Sequence, residues 1–327
     1  MTDAWLDDLN ARLTLPLIAA PMFLVSGVDL VTAACTAGVV GAFPTVNCRT
    51  AQELDAWLTE IVRRNAQTGA RAPWCANLVV HKSNARLMED VAVLVRHRPE
   101  LVIASVGSPA PVIGPLHAAG ARVLVDVATI RHAERAVAAG ADGLVLLTAG
   151  AGGQTGWLNP LAFVRAVRGF YDGPLVLAGG VSDGAALFAA EAMGCSLAYM
   201  GTKFIATRES MAKDAYKDML VAARADDVLL TRAFTGLETN MLRPSIVAAG
   251  LDPDDLPTRG AIDIAKDISI EARASKPERW RDIWSAGHSV SGVDRVRSIA
   301  DLVAQTVGEY ESARETFEIR RSNRRRR

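Results

Sequence analysis

The chain has 327 residues, half of them hydrophobic, and its 36 basic residues balance 36 acidic ones. That much apolar material fits one large domain, or one domain with an appendage, and excludes a disordered tail or a small stapled scaffold. The charge balance provides no broad field to steer nucleic acid or an anionic membrane, so neither is an expected partner.

The opening MTDAWLDDLNARL has neither the basic nor the apolar region of a secretory signal, and no later stretch reaches the roughly 18 apolar residues of a spanning helix. A soluble, cytoplasmic protein is expected. Eight short apolar runs follow: PLIAA (16–20), VVGAF (39–43), WCANLVV (74–80), LVIAS (101–105), ARVLVDV (121–127), DGLVLLT (142–148), PLVLAGG (174–180) and SLAYMG (196–201). Each is too continuous to alternate between core and water, which is the pattern of strands buried on both faces of a parallel sheet. Between them lie segments such as AQELDAWLTEIVRRNAQ and NARLMEDVAVLVRHR, with apolar residues at helical spacing. Eight such units within about 200 residues predict a closed (β/α)8 TIM barrel in preference to an open doubly wound sheet. AAPMFLVSG stands after the first run, where the open sheet's G-x-G-x-x-G would be.

Periodicity weakens from 208 to 283, which reads as a smaller lobe inserted after the eighth strand and covering the site. The barrel is therefore assigned to 1–207 and 284–315, with a closing helix within VDRVRSIADLVAQTVGEYESARETF. The basic end, 316–327 with RRSNRRRR, is expected as a solvated, disordered tail. Cys35, Cys48, Cys75 and Cys195 lie far apart without a C-x-x-C pair, so neither a metal site nor a disulfide framework is implied.

Barrel chemistry belongs at the C-terminal ends of the strands, and the unusual residues fall there. Gly179–Gly180 and Gly201–Thr202 leave amides uncovered ahead of two helices, the first of which Ser182 or Asp183 could cap. Amides so placed after the seventh and eighth strands suit a phosphate, although the same glycines could serve only as tight turns. TAGAGGQTGW, after the sixth strand, surrounds the amide of Gln154 with glycine.

AAPM, GAGGQTG, LAGGVSDG, YMGTKFIATRES and DIWSAGHSVSGV, in that order over nearly the whole chain, resemble the nitronate monooxygenase (2-nitropropane dioxygenase-like) flavoproteins. The resemblance implies an FMN-binding barrel with a second, smaller domain. By position it assigns the FMN phosphate to Gly179, Gly180, Gly201 and Thr202, with the backbone of Ala178 and Met200 beside them and Gly153 in the sixth loop. Pro21 and Met22 would lie against the isoalloxazine, Asn77 and Ser105 would offer polar contacts, and Trp284, Ser285 and Gly287 would cover the pocket.

Many members of the family have histidine where this chain has Gln154, and that histidine serves as the base or as a hydrogen-bond partner of substrate. An amide cannot hold a proton near neutral pH. Gln154 therefore points to a nitronate, already deprotonated, rather than a neutral nitroalkane. A second departure is Asp126, where some relatives carry a basic residue. His288 is the histidine that the resemblance brings to the flavin, and His81 is the other one at the active rim.

Three readings follow. The first is an FMN-dependent monooxygenase acting on alkyl nitronates with O2; the second is an NAD(P)H-dependent FMN reductase of a quinone or enoyl thioester. The third is a flavin-free phosphate-binding barrel doing lyase or isomerase chemistry, for which the strand ends offer Lys203 and Asp126. A monomer or a homodimer is compatible with all three.

Overall fold

The eight apolar runs become strands because each can bury both faces, one in the barrel's interior and one under its helices. The computed structural model describes residues 4–257 and 282–325. In chain order the strands are β1 (Leu17–Ala19), β2 (Val40–Pro44), β3 (Trp74–Val79), β4 (Leu101–Ser105), β5 (Arg122–Val127), β6 (Gly143–Leu147), the short β7 (Gly153–Gln154), β8 (Leu175–Ala178) and β9 (Leu197–Met200). All but β7 form a closed, parallel barrel, sealed where Ile18 of β1 pairs with Tyr199 of β9. This is the TIM barrel that the run spacing predicts.

Alternation along each strand separates two cores. Ile18, Ala42, Cys75, Ile103, Leu124, Val145, Val176 and Tyr199 fill the interior, while residues such as Leu17, Phe43, Ala76 and Leu146 pack under the surrounding helices. Trp5, Leu6, Leu9 and Leu13, in and just after the first helix (Ala4–Arg12), join the interior cluster. That helix plugs the barrel from the end opposite the strand C-termini, so open space remains on one side only.

The expected lobe contributes the helix Asp214–Ala222, strands β10 (Val228–Thr231) and β11 (Thr239–Leu242), and the helix Arg243–Ala248; its 258–281 portion lies outside the described residues. β10 and β11 form an antiparallel sheet with β7, in which Gln154 pairs with Thr239 and Gly153 with Asn240. The loop after β6 is thereby tied to the lobe. The helix Ile299–Arg325 closes the barrel against the helix Gly184–Ala192, where Gly184 admits backbone so close that a Cβ would meet Tyr310 N and Thr306 O. The arginine-rich end differs from the expected disordered tail. It continues this helix to Arg325, with its side chains exposed.

Candidate active site

The strand C-termini surround a cavity that brings together Pro21, Met22, Asn77, Ser105, Gly153, Gln154, Ala178, Gly179, Gly180, Gly201, Thr202, Trp284 and Ser285. These come from six strand ends and from the chain beyond the lobe. Pro21 and Met22 lie in the turn after β1, which Asn47 braces: its Nδ2 donates to the carbonyls of Met22 (3.1 Å) and Ser26 (2.8 Å), and its Oδ1 accepts from Leu24 N. The turn includes Leu24 at φ +59°, a left-handed conformation that a leucine holds only with such support. Across the cavity Val106 stands at φ +57° directly after Ser105. On the wall, Asn77 Nδ2 donates to Ser105 Oγ at 3.1 Å.

The phosphate-type feature lies in the loops. Among the described residues, the N–H groups of Gly180, Val181 and Gly201 meet no protein acceptor. A Cβ on Gly180, which has φ +75°, would project into open space. The helix that follows is capped by Asp183, one of the two residues expected there, and a second carboxylate joins it. Asp183 Oδ1 accepts from Ala186 N at 2.7 Å and Glu309 Oε2 accepts from Gly184 N at 3.0 Å, so two carboxylates already occupy its N-terminus. An anion would therefore meet the loop amides before that helix rather than its first turn.

The glycines of TAGAGGQTGW have a partner in the protein itself. A Cβ on Gly152 would lie 2.7 Å from Gly287 N, one on Gly150 2.8 Å from His288 Nδ1, and one on Gly287 2.5 Å from Gly150 O. What approaches this main chain is the backbone of 286–288. His288 N donates to Gly150 O at 2.9 Å, Gly287 N donates to Thr202 Oγ1 at 3.0 Å, and Asn240 Nδ2 donates to Ala151 O at 2.7 Å. Gln154, held by pairing of β7 with β11, lines the cavity, and its side-chain amide has no hydrogen-bond partner among the described residues.

Five positions named from the sequence fall outside the lining. His288 is exposed, because the hydrogen bond that fixes its backbone leaves its ring against Gly150 on the outer side of the loop. Gly287 is consumed by the loop contact. Met200 turns its side chain into the core under the helices, and its carbonyl accepts from Ala20 N. His81 pairs with Ser83 at 2.8 Å, also off the cavity. Lys203 is buried but does not line the cavity, which removes the lysine that lyase chemistry there would need.

Trp284 stacks on Tyr216 with centroids 5.0 Å apart and planes 11° from parallel, and the Tyr216 hydroxyl donates to Ser285 O. Burial pushes the Tyr216 phenol up to about 12, so it remains a neutral donor. Tyr216 reaches the cavity wall from the lobe with no sequence signal beyond an apolar helix position. Asp126 and Tyr199 also line the cavity. Burial alone lifts the Asp126 carboxyl to about 7, and burial lifts Tyr199 well above the usual phenol range, with smaller contributions from Asp126 and Cys75. The four cysteines are free and buried.

The model of the nitronate monooxygenase family matches residues 64–309. A nitronate monooxygenase of Paraburkholderia phytofirmans is 28% identical over an alignment covering 89% of this chain and 90% of that protein. Among solved structures, the nitroalkane oxidase of Streptomyces ansochromogenes superposes with a TM-score of 0.76 at 26% identity, covering 95% of this chain and 99% of its own. FabK of Thermotoga maritima superposes with 0.77 at 20% identity, covering 97% and 99%.

Proposed function

The chain belongs to the nitronate monooxygenase family and is an oxidoreductase of that type, and from this premise we propose that it is an FMN-dependent enzyme oxidising alkyl nitronates with O2. The observation that carries the reading is the composition of the cavity. It combines unpaired loop amides at one end with an amide, Gln154, at the position where a base would be needed for a neutral nitroalkane.

The residues present fit FMN. The N–H groups of Gly180, Val181 and Gly201 would hold the phosphate, with Gly180 lacking the side chain that would fill their cradle. Met22, Ala178 and Trp284 would border the ring system, and the Asn77–Ser105 pair would offer polar contacts. When bound, FMN would supply the electron transfer between nitronate and O2 that no side chain provides.

The chain's own residues then bind, orient and exclude water. Gln154 can donate its N–H to a nitro or nitronate oxygen and can accept at its carbonyl, but it cannot carry away a proton. Among the described residues no histidine, lysine or glutamate lines the cavity, and the carboxyl that does, Asp126, is kept protonated by burial up to about pH 7. Below that pH the substrate therefore has to arrive as the nitronate anion. The Trp284–Tyr216 stack walls the cavity from the lobe side and limits solvent entry.

The absorbance spectrum of the purified protein, followed by O2 consumption with a preformed nitronate and with its parent nitroalkane, tests the reading. A visible flavin band and a strong preference for the nitronate are expected. A protein with no flavin band, or one reduced rapidly by NAD(P)H and indifferent to nitronate, overturns it in favour of the lyase or the reductase reading respectively.

A further inference from the structure

The floor of the cavity carries two polar atoms that the protein leaves unpaired. Asp126 Oδ1 and the Tyr199 hydroxyl are both buried with no hydrogen-bond partner. Leu124 of β5 belongs to the interior core, and Asp126, two residues further on, lies on the same face at the open end of the strand. Tyr199 of β9 belongs to that interior core as well, and both residues line the cavity. A buried polar atom without a partner carries an uncompensated desolvation cost. Two of them facing one cavity are explained most simply by an occupant that supplies the missing partners.

We propose that Asp126 and Tyr199 are a pair of hydrogen-bond donors facing an acceptor-bearing edge of the bound cofactor, and that occupancy of the site is linked to the proton on Asp126. The proposal rests on the FMN reading above and adds which atoms receive the ring and in which protonation state.

The donor assignment follows from what surrounds the carboxyl. The titratable groups that face it are the Tyr199 phenol from β9 and the Cys75 thiol from β3, and burial keeps both neutral at ordinary pH. Among the described residues no lysine, arginine or histidine lines the cavity to stabilise a carboxylate. Ile103, Leu124 and Val145 of the interior core provide no polar partner beneath. Desolvation is the cause that holds the proton on Asp126 up to about pH 7. A neutral carboxyl can donate its O–H, as can a phenol, whereas a carboxylate only accepts. The edge of an isoalloxazine formed by N1 and the C2 carbonyl presents a ring nitrogen and an oxygen as acceptors, which suits two donors. Above about pH 7 the ionised carboxylate would turn a charge toward those acceptors, so affinity falls.

The test is the dissociation constant of FMN, and of riboflavin in parallel, for the full-length chain freed of bound flavin. Quenching of flavin fluorescence is read from about pH 5.5 to 8.5. Riboflavin removes the contribution of the FMN phosphate, which ionises near pH 6. Wild type is expected to bind riboflavin with a pH-independent Kd below about 7, and to lose affinity for both flavins by up to about tenfold per pH unit above it. Asp126→Asn keeps a donor that cannot ionise and is expected to lose that dependence. Tyr199→Phe, which lacks one donor, is expected to weaken binding several-fold at every pH.

A riboflavin Kd that is flat across the range, a riboflavin affinity that rises with pH, or an Asp126→Asn profile that follows wild type overturns the proposal and leaves the FMN reading standing. Failure of wild type to bind either flavin at any pH overturns both.

Discussion

Gly152 and Gly287 meet backbone to backbone: a Cβ on the first would lie 2.7 Å from the amide nitrogen of the second, and a Cβ on the second 2.9 Å from the amide nitrogen of the first. The loop after β6 and the segment that returns from the lobe are thereby interlocked above the barrel. Neither glycine has a left-handed φ, so the requirement is for space rather than conformation. Gly152→Ala is expected to destabilise the protein by about 1–3 kcal/mol, the range for forcing an extra methyl into a packed site. Gly308→Ala, in the closing helix with nothing within 4 Å of its Cβ, should be neutral or stabilising by up to about 1 kcal/mol. Urea unfolding of the two variants reads the difference directly.

The same interlock explains why His288 is a poor candidate for chemistry. Its backbone is bound to Gly150 O and its ring is exposed on the outer side of the loop. Turnover in His288→Ala is expected to stay within about twofold of wild type, since surface substitutions rarely cost more than 0.5 kcal/mol. A loss of a hundredfold or more in kcat at unchanged stability would return this histidine to the site.

Gly180 has no such neighbour, and its open Cβ side is where the loop amides gather. Gly180→Asp is expected to abolish FMN retention, because a carboxylate there opposes the phosphate charge. Gly180→Ala, strained by φ +75° but uncharged, should weaken retention far less. Flavin content per protein after gel filtration, with circular dichroism to verify folding, distinguishes the two.

Asp126 also predicts a pH dependence of stability. Its folded pKa, about 7, lies above the ordinary carboxyl value of 3.8. The flavin-free folded protein therefore binds more protons than the unfolded chain between those values, and stability falls as pH rises through that window and levels off above about 7. Asp126→Asn removes the loss. It should leave stability near pH 4 almost unchanged and raise it at pH 8 by on the order of 2–4 kcal/mol. Equal effects at both pH values would mean that the folded state does not raise this carboxyl above its ordinary value.

Much of this architecture was legible in the sequence. Runs such as ARVLVDV and PLVLAGG are apolar on both faces, and only a sheet covered on both sides accommodates eight of them. The cavity rim followed, since barrel function gathers at strand C-termini and Gly180, Gly201 and Gln154 stand there. What periodicity does not carry is the partner of a glycine. The pattern 150-GAGG-153 reads the same whether it faces a flavin or another loop, and the contact with Gly287, more than 100 residues away, decides it. β7 is likewise set by tertiary pairing, because two residues have no period of their own. The occupied helix at Gly184 was hidden for the same reason: Glu309 comes from the far end of the chain. Asp126 stood out only as an acidic residue in an apolar strand, and its proton follows from the enclosure around it.

Gln154 places the decisive test on the substrate's proton. If a base is what this loop lacks, Gln154→His should raise the rate with neutral nitroalkane selectively and bring in a dependence on a group titrating near 6.5. The measurement that reaches the central claim most directly uses the unmodified protein: anaerobic stopped-flow mixing with a preformed alkyl nitronate and, separately, with its parent nitroalkane, following the visible flavin band. Rapid bleaching by the nitronate, at a rate at least about a hundredfold above that with the nitroalkane, is the result expected below about pH 7, where Gln154 can bind but cannot take a proton and Asp126 already holds one. Equal bleaching by both, or none by the nitronate, would contradict the account.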